Sequence, residues 1–320
     1  MTRPLNEAER RRHRRRNLAQ SAVLLGGMIA LLSACGWIVA GVEGVLWAAL
    51  ASGLSLALSQ SISPRLILRL YGARPISPHE LPVLFDLLAR ISERAGLQRP
   101  PELHYVPSPM LNAFAVGSRD AAAIAVTDGL LRYLNRRELA GVLAHEVSHI
   151  RNNDLWIMGL ADAVSRLTGM MSIFGIMLLL VSLPLLLTSA VQVPWLLVAL
   201  LMIAPTIGNL LQLALSRTRE FDADIDAAGI TGDPRGLAAA LAKLERFQGG
   251  LMERLLLPGR RVPDPSLLRT HPTTEERINR LLSLEQRSDR IDEEGWPMVI
   301  PDRFIPHRRA PSWHITGLWH

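Results

Sequence analysis

The sequence predicts a mainly α membrane protein, in which four transmembrane helices form two hairpins joined to a cytosolic α+β domain with a small β-sheet. Three observations predict it. Residues 18–63 carry only one charge, Glu43, and residues 167–216 carry none, and each stretch is long enough for two spans of about 20 residues. The segments between and after them show the alternation, caps and turn residues of water-soluble protein. Hydrophobic residues make up 49% of the chain and aromatics only 5%, a Leu-, Ala- and Val-rich skew typical of lipid-facing helices.

The formal charge is +6, almost wholly from arginine, since Lys243 is the only lysine. The arginines cluster beside the apolar stretches, which favours membrane orientation over nucleic-acid binding. Cys35 is the single cysteine, so an internal disulfide and a cysteine-built metal site are excluded. Residues 1–16 include the run Arg10–Arg16 and are expected to be a disordered, cytosolic Arg-rich tail.

The first hairpin covers 17–63, with spans at about 18–40 and 45–63 and a turn at Gly41–Gly44. Arg65, Arg69 and Arg74 follow it, so both of its ends are expected in the cytosol. Residues 64–166 form the first part of the cytosolic domain. His79–Ala95 reads as an amphipathic helix closed by Gly96, and Glu102–Val106 as a strand. Asn112–Val116 and Ala122–Thr127 read as a strand pair around Gly117–Asp120. Asn135 and Glu138 form a capping-box pattern that opens the next helix.

The second hairpin covers 167–216, with spans at about 168–188 and 194–214 and a turn around Pro184–Pro194. Arg166, Arg217 and Arg219 flank it outside the turn. Residues 217–287 complete the domain, with helices expected at 235–248, ended by Gly249-Gly250, and at Thr273–Glu285. Residues 288–320 are expected to be a flexible tail, whose Trp296, Trp313 and Trp319 suit a membrane interface.

The chemistry lies in His145-Glu146-Val147-Ser148-His149, an HExxH pattern on the capped helix. Residues four apart share a helix face, so His145 and His149 can hold one zinc ion. Glu146 lies beside them, placed to take a proton from a water that the metal activates. Chance produces this pattern in roughly one chain of this length in a hundred. The surrounding Leu143, Ala144 and Val147 argue that the helix is buried, where unpaired His and Glu would be costly. A catalytic zinc needs a third protein ligand. Glu220 and Asp224, four apart on a helix, suit a ligand and a residue that orients a ligand histidine. Periodicity alone leaves a solvated charged face as an equal alternative.

The HEVSH motif, the uncharged hairpin and the segment Ser216-Arg217-Thr218-Arg219-Glu220-Phe221-Asp222-Ala223-Asp224 together resemble the HtpX-like membrane metalloproteases, relatives of the CAAX prenyl proteases and OMA-type mitochondrial peptidases. Asn112–Gly117 and Thr270–Ile278 extend the resemblance, which covers roughly 18–285. It implies a zincin-type (gluzincin) protease domain holding one Zn2+ per chain through His145, His149 and Glu220, with Glu146 as general base. It also implies an ATP-independent endopeptidase of the bacterial inner (plasma) membrane, acting on membrane or misfolded proteins in quality control and stress response. The stretch Asn112, Ala113, Phe114 and Ala115 can then accept an extended substrate as an added strand. His271 can stabilise an oxyanion beside the metal or cap the next helix. Arg277 can pair with an acidic residue near the metal, an exposed arginine being the commoner outcome.

Three other readings compete. A dedicated maturation protease for lipidated, CAAX-type proteins shares the same chemistry. An inactive zinc-binding scaffold has no need of Glu146. A di-iron carboxylate site requires a second ExxH motif, and none occurs.

Overall fold

The computed structural model describes residues 7–60, 64–187, 195–256 and 273–284. In chain order the elements are α1 (Glu7–Gln60), α2 (Pro64–Leu70), β1 (Arg74–Pro75), α3 (Pro82–Ala95), β2 (Glu102–Val106), β3 (Ala113–Ser118), β4 (Ala121–Thr127), α4 (Asp128–Tyr133), α5 (Arg136–Asn152), α6 (Asp154–Leu187), α7 (Trp195–Thr231), α8 (Pro234–Leu256) and α9 (Thr274–Ser283). The chain is mostly helical, with one small mixed sheet.

Helix α1 contains the non-helical residues Ala40 and Gly41, the latter at φ 61°, a left-handed conformation that glycine adopts without strain. Around that break the chain doubles back. A Cβ on Gly36 would lie 2.7 Å from the carbonyl oxygen of Gly44. In a continuous helix those two residues would stand about 12 Å apart along the axis. The reversal thus falls at Ala40–Gly41, at the start of the expected turn, and two glycines without side chains let the arms touch. The Arg-rich segment expected as a disordered tail is helical from Glu7 onward.

Three described segments are long and apolar enough to cross a membrane: Arg15–Leu58, Asp154–Met177 and Val198–Thr231. They pack together through Met28 and Leu32 of α1, Ala161 and Val164 of α6, and Leu215 of α7. Their outward faces stay apolar: Leu50, Leu54, Ile173, Phe174, Met202 and Ile203 are all exposed. In water such a surface would be a large liability, whereas hydrocarbon solvates it.

The sheet order is β1-β2-β4-β3. β2 and β4 are parallel, and β3 and β4 are antiparallel with Ser118 opposite Ala121. Only Arg119 and Asp120 separate β3 from β4, a tighter hairpin than the four-residue turn expected. β3 is an edge strand.

Helix α3 starts at Pro82 rather than His79, because proline suits the first helical turn, where its missing N–H is not needed. Helix α8 runs through Gly249-Gly250 to Leu256, past the expected stop. The expectations for His271 and the tail from 288 lie outside the described residues.

The core of the domain forms where α3 and α5 meet the sheet. Leu84, Leu87, Leu88 and Ile91 pack against Leu139, Leu143, Val147, Ile124 and Val126. Each such side chain contributes about 1.5–3 kcal/mol on burial. Helix α8 presses on α5 at Gly141, where a Cβ would fall 2.8 Å from the Leu237 backbone. Arg137 bonds to Asp233, and Lys243 reaches Glu138 at 2.7 Å, closing that contact on both sides.

Candidate metal centre

Helix α5 is set by its ends. The Asn135 side chain accepts from the Glu138 amide, and the Glu138 carboxylate accepts from the Asn135 amide, both at 2.9 Å. This is the capping box that the sequence predicts. At the other end Asn153 turns the chain with φ 57°, and α6 starts at the next residue. The apolar face of α5 is locked in the core, so His145, Glu146 and His149 point toward α7 and β3. Helix α7 runs uninterrupted from the apolar bundle to Thr231 and carries Glu220 and Asp224 on the turns that face α5.

The structure brings His145, His149 and Glu220 together, with one ligand atom from each lying within 4.8 Å of the others. The two Nε2 atoms are 3.1 Å apart. Glu220 places Oε2 3.4 Å from His145 Nε2 and Oε1 3.8 Å from His149 Nε2.

Each imidazole turns its other nitrogen to a carboxylate. His149 Nδ1 meets Asp154 Oδ2 at 2.7 Å, and His145 Nδ1 meets Asp224 Oδ1 at 3.0 Å. The tautomers follow from this pattern: an Nδ1–H donating to a carboxylate leaves Nε2 as a lone pair. Two lone pairs and a carboxylate can thus converge on one cation, a metal ion or, without it, the proton that His145 then carries. Ligand atoms around a tetrahedral zinc, at roughly 2.0–2.1 Å from it, stand about 3.3 Å from one another. The Nε2–Nε2 spacing and that from His145 Nε2 to Glu220 Oε2 lie close to this value, the approach of Glu220 to His149 being longer, and the N, N, O donor set suits zinc.

Charge points the same way. Glu220, Asp224, Asp154 and Asp222 face Arg277 and Arg219. The carboxylates gathered there favour a cation beside them. Burial alone would lower the pKa of His145, yet its bonds to Asp224 and Glu220 carry it up to about 10. Burial pushes the Glu146 carboxyl up, against the downward pull of His145, His149 and a hydrogen bond from the Ala115 backbone. That bond ties Glu146 to the edge strand β3.

The candidate substrate stretch divides. Ala113, Phe114 and Ala115 lie in β3, paired with β4 on one side only. Asn112 precedes the strand, and its amide and carbonyl are both taken by Thr127. Along Ala115–Ser118 runs a groove of about 500 Å³, lined also by Leu56 and Trp156 of the helical bundle and by Ile67 of α2.

Of its two expected outcomes Arg277 takes the less common one: it pairs with Asp224 and Glu220, which leaves its side chain 11% accessible. Asp154, Arg219 and Asp222 are contacts that the sequence reading missed. Asp154 reads as an ordinary acidic residue opening a helix. The one available signal was its position five residues after His149, beyond an Asn able to turn the chain.

Compared with known proteins, residues 79–285 match the family model of Peptidase family M48. A protein described as "Protease HtpX homolog" from Acaryochloris marina is 39% identical over 288 residues, 84% of this chain and 92% of that one. One of the same description from Paraburkholderia phytofirmans is 34% identical over 286 residues, 84% of this chain and 97% of its own. A crystal structure of Ste24p from S. mikatae superposes with a TM-score of 0.48 at 20% identity, covering 84% of this chain and 66% of that chain, just under two thirds of its length.

Proposed function

The chain belongs to peptidase family M48 and is a membrane metalloprotease, and within that class we propose that it is a zinc-dependent endopeptidase cleaving membrane or misfolded proteins at the cytosolic membrane face. The observation that carries this reading is the convergence of His145 Nε2, His149 Nε2 and Glu220 on one point, with Glu146 beside it.

His145, His149 and Glu220 would hold one zinc ion per chain, with Asp224 and Asp154 fixing the two rings. Bound there, zinc supplies a Lewis acid that polarises the scissile carbonyl and makes water nucleophilic near neutral pH. Glu146 takes the proton of the attacking water and returns it to the leaving amine. Its position between the histidines and the Ala115 amide keeps the carboxylate within reach of both.

The substrate lies along the free edge of β3 at Ala113–Ala115, held by backbone hydrogen bonds that demand no sequence. Asn112 serves only to anchor the start of that strand. The groove beside β3 opens between the sheet and the apolar bundle. This supports substrates that leave the bilayer there, as quality control of membrane proteins in a stress response requires. His271 is assigned as an oxyanion donor. Thr273, two residues later, caps α9, whose Arg277 bonds to Glu220 and Asp224.

Four spans are part of this reading, and the reversal in α1 supports counting its two arms as separate spans beside α6 and α7. Arginines flank the ends of both hairpins and are absent from their turns. This supports a bacterial inner membrane location with the protease domain, 64–166 and 217–287, in the cytosol.

Purified in detergent, the wild-type chain should cleave casein, stop on chelation and resume with zinc, while Glu146→Gln should be inactive but zinc-loaded. Equal cleavage by Glu146→Gln would refute the assignment.

A further inference from the structure

Beyond Asp154, the contacts of His149 continue into the bundle. Asp154 Oδ1 accepts from Arg219 Nε at 2.6 Å. Arg219 Nη1 donates to Asp222 Oδ2 at 2.8 Å. The other oxygen of Asp222 accepts from the Asn17 side-chain amide. Asn17 is on the first arm of α1, more than two hundred residues away in sequence. All four relay residues are at least nine-tenths buried: Asn17 9%, Asp222 9%, Arg219 4% and Asp154 3% accessible.

The relay is held in register by helix packing. The first arm of α1 runs antiparallel to α7, so contacts step down one helix as they step up the other. Asn17 meets Asp222, a Cβ on Gly27 would meet Leu211, and Leu31 meets Gly208. Cys35 packs with Leu201 and Ala204. Sliding α1 along α7 would break the Asn17 bond and these packing contacts together.

We propose that Asn17 is a positioning residue for the metal centre, acting on His149 through Asp222, Arg219 and Asp154. Arg219 lies between two carboxylates and can hold Asp154 in place only while Asp222 is itself held. Asp222 has Arg219 on one oxygen and Asn17 on the other. Loss of the Asn17 amide leaves a buried carboxylate oxygen without its donor, which is costly unless the carboxylate moves. The movement passes through Arg219 to the ring of His149. The membrane arm of α1 thereby becomes part of the device that orients a metal ligand. The inference takes from the proposed function only that His149 binds the metal. It does not depend on proteolysis.

The test uses the full chain in detergent. Zinc affinity is measured by competition with a chromogenic chelator, and the absorption bands of the cobalt-substituted protein report ligand geometry. Unfolding of the chelator-stripped protein serves as the control for folding. Asn17→Ala should weaken zinc binding by about tenfold, the lower end for residues that support metal ligands, and should shift the cobalt bands. Asn17→Asp keeps the size but sets an acceptor against Asp222, and should weaken binding at least as much. Asn17→Gln, which retains the donor, should recover most of the affinity. Ser21→Ala, one turn along and equally buried, with a hydroxyl that makes no hydrogen bond among the described residues, should leave zinc affinity unchanged. The proposal is overturned if Asn17→Ala and Asn17→Asp bind zinc as the wild type does with unshifted cobalt bands. It is equally overturned if Ser21→Ala weakens zinc as much. A wild-type chain that binds zinc without cleaving any protein would refute the protease reading and leave this inference standing.

Discussion

Arg277 grips Asp224 with two parallel hydrogen bonds, Nε to Oδ2 at 2.7 Å and Nη2 to Oδ1 at 2.6 Å, while Asp224 Oδ1 also meets His145 Nδ1 at 3.0 Å. The same guanidinium reaches Glu220 Oε2 at 3.2 Å. One arginine from α9 thus fixes both the carboxylate that orients one histidine and the third candidate ligand. Lysine cannot reproduce this fork. Arg277→Lys should weaken zinc binding by about tenfold, and Arg277→Ala by up to about a hundredfold, the range for residues that support metal ligands. Chelator competition measures both. Wild-type affinity in Arg277→Ala would remove Arg277 from the site.

Zinc and a proton compete for His145. Its pKa is raised from an ordinary value near 6.5 to about 10, so below pH 10 the chelator-stripped site carries a proton that zinc must displace. The sign is therefore fixed: apparent zinc affinity should rise with pH between 7 and 9, by about tenfold per unit, with about one proton released from His145. Titrations in buffers of different ionisation enthalpy would count that proton. Affinity flat across this range would contradict the bonding assigned to His145.

Gly141 lets α8 approach the helix that carries both histidines. Gly141→Val would drive two methyl groups into the Leu237 backbone, from which even a Cβ stands only 2.8 Å. Overpacking of this kind costs about 1–3 kcal/mol. The unfolding free energy should fall by that amount in denaturant titrations, and stability equal to wild type would mean that α5 and α8 are not so close.

Topology has an independent check. Reporter fusions at residue 130, in α4, and at residue 190, between α6 and α7, should report opposite sides of the membrane, with 130 cytosolic. The same side for both would remove the second hairpin.

What could be read from the sequence was mostly local. The capping box at Asn135 and Glu138, the helix closed by Gly96 and the strand at Glu102–Val106 each follow from residues close in the chain, where propensity and turn chemistry act directly. The two-residue strand β1 at Arg74–Pro75 escaped because its pairing with Tyr105 and His104 leaves no periodic trace. Helix α8 runs past Gly249-Gly250, where a glycine pair is a weaker stop than it looks. At the site, HEVSH was plain, but the partners of its rings were not. Asp154 follows the motif and looks like an ordinary helix-opening acid, Arg277 arrives from α9, and Asn17 comes from the opposite end of the chain. Burial of an arginine depends on which carboxylates converge on it, and that is decided by tertiary packing alone.

Two halves of a zinc site, separated in sequence by helix α6 and the apolar part of α7, meet at Glu220. Metal analysis of purified wild type and Glu220→Ala, each normalised to folded protein, tests it most directly. The wild type should hold about one zinc per chain and Glu220→Ala almost none under the same wash. Full zinc occupancy in Glu220→Ala would contradict it, because His145 and His149 would then hold the metal without α7.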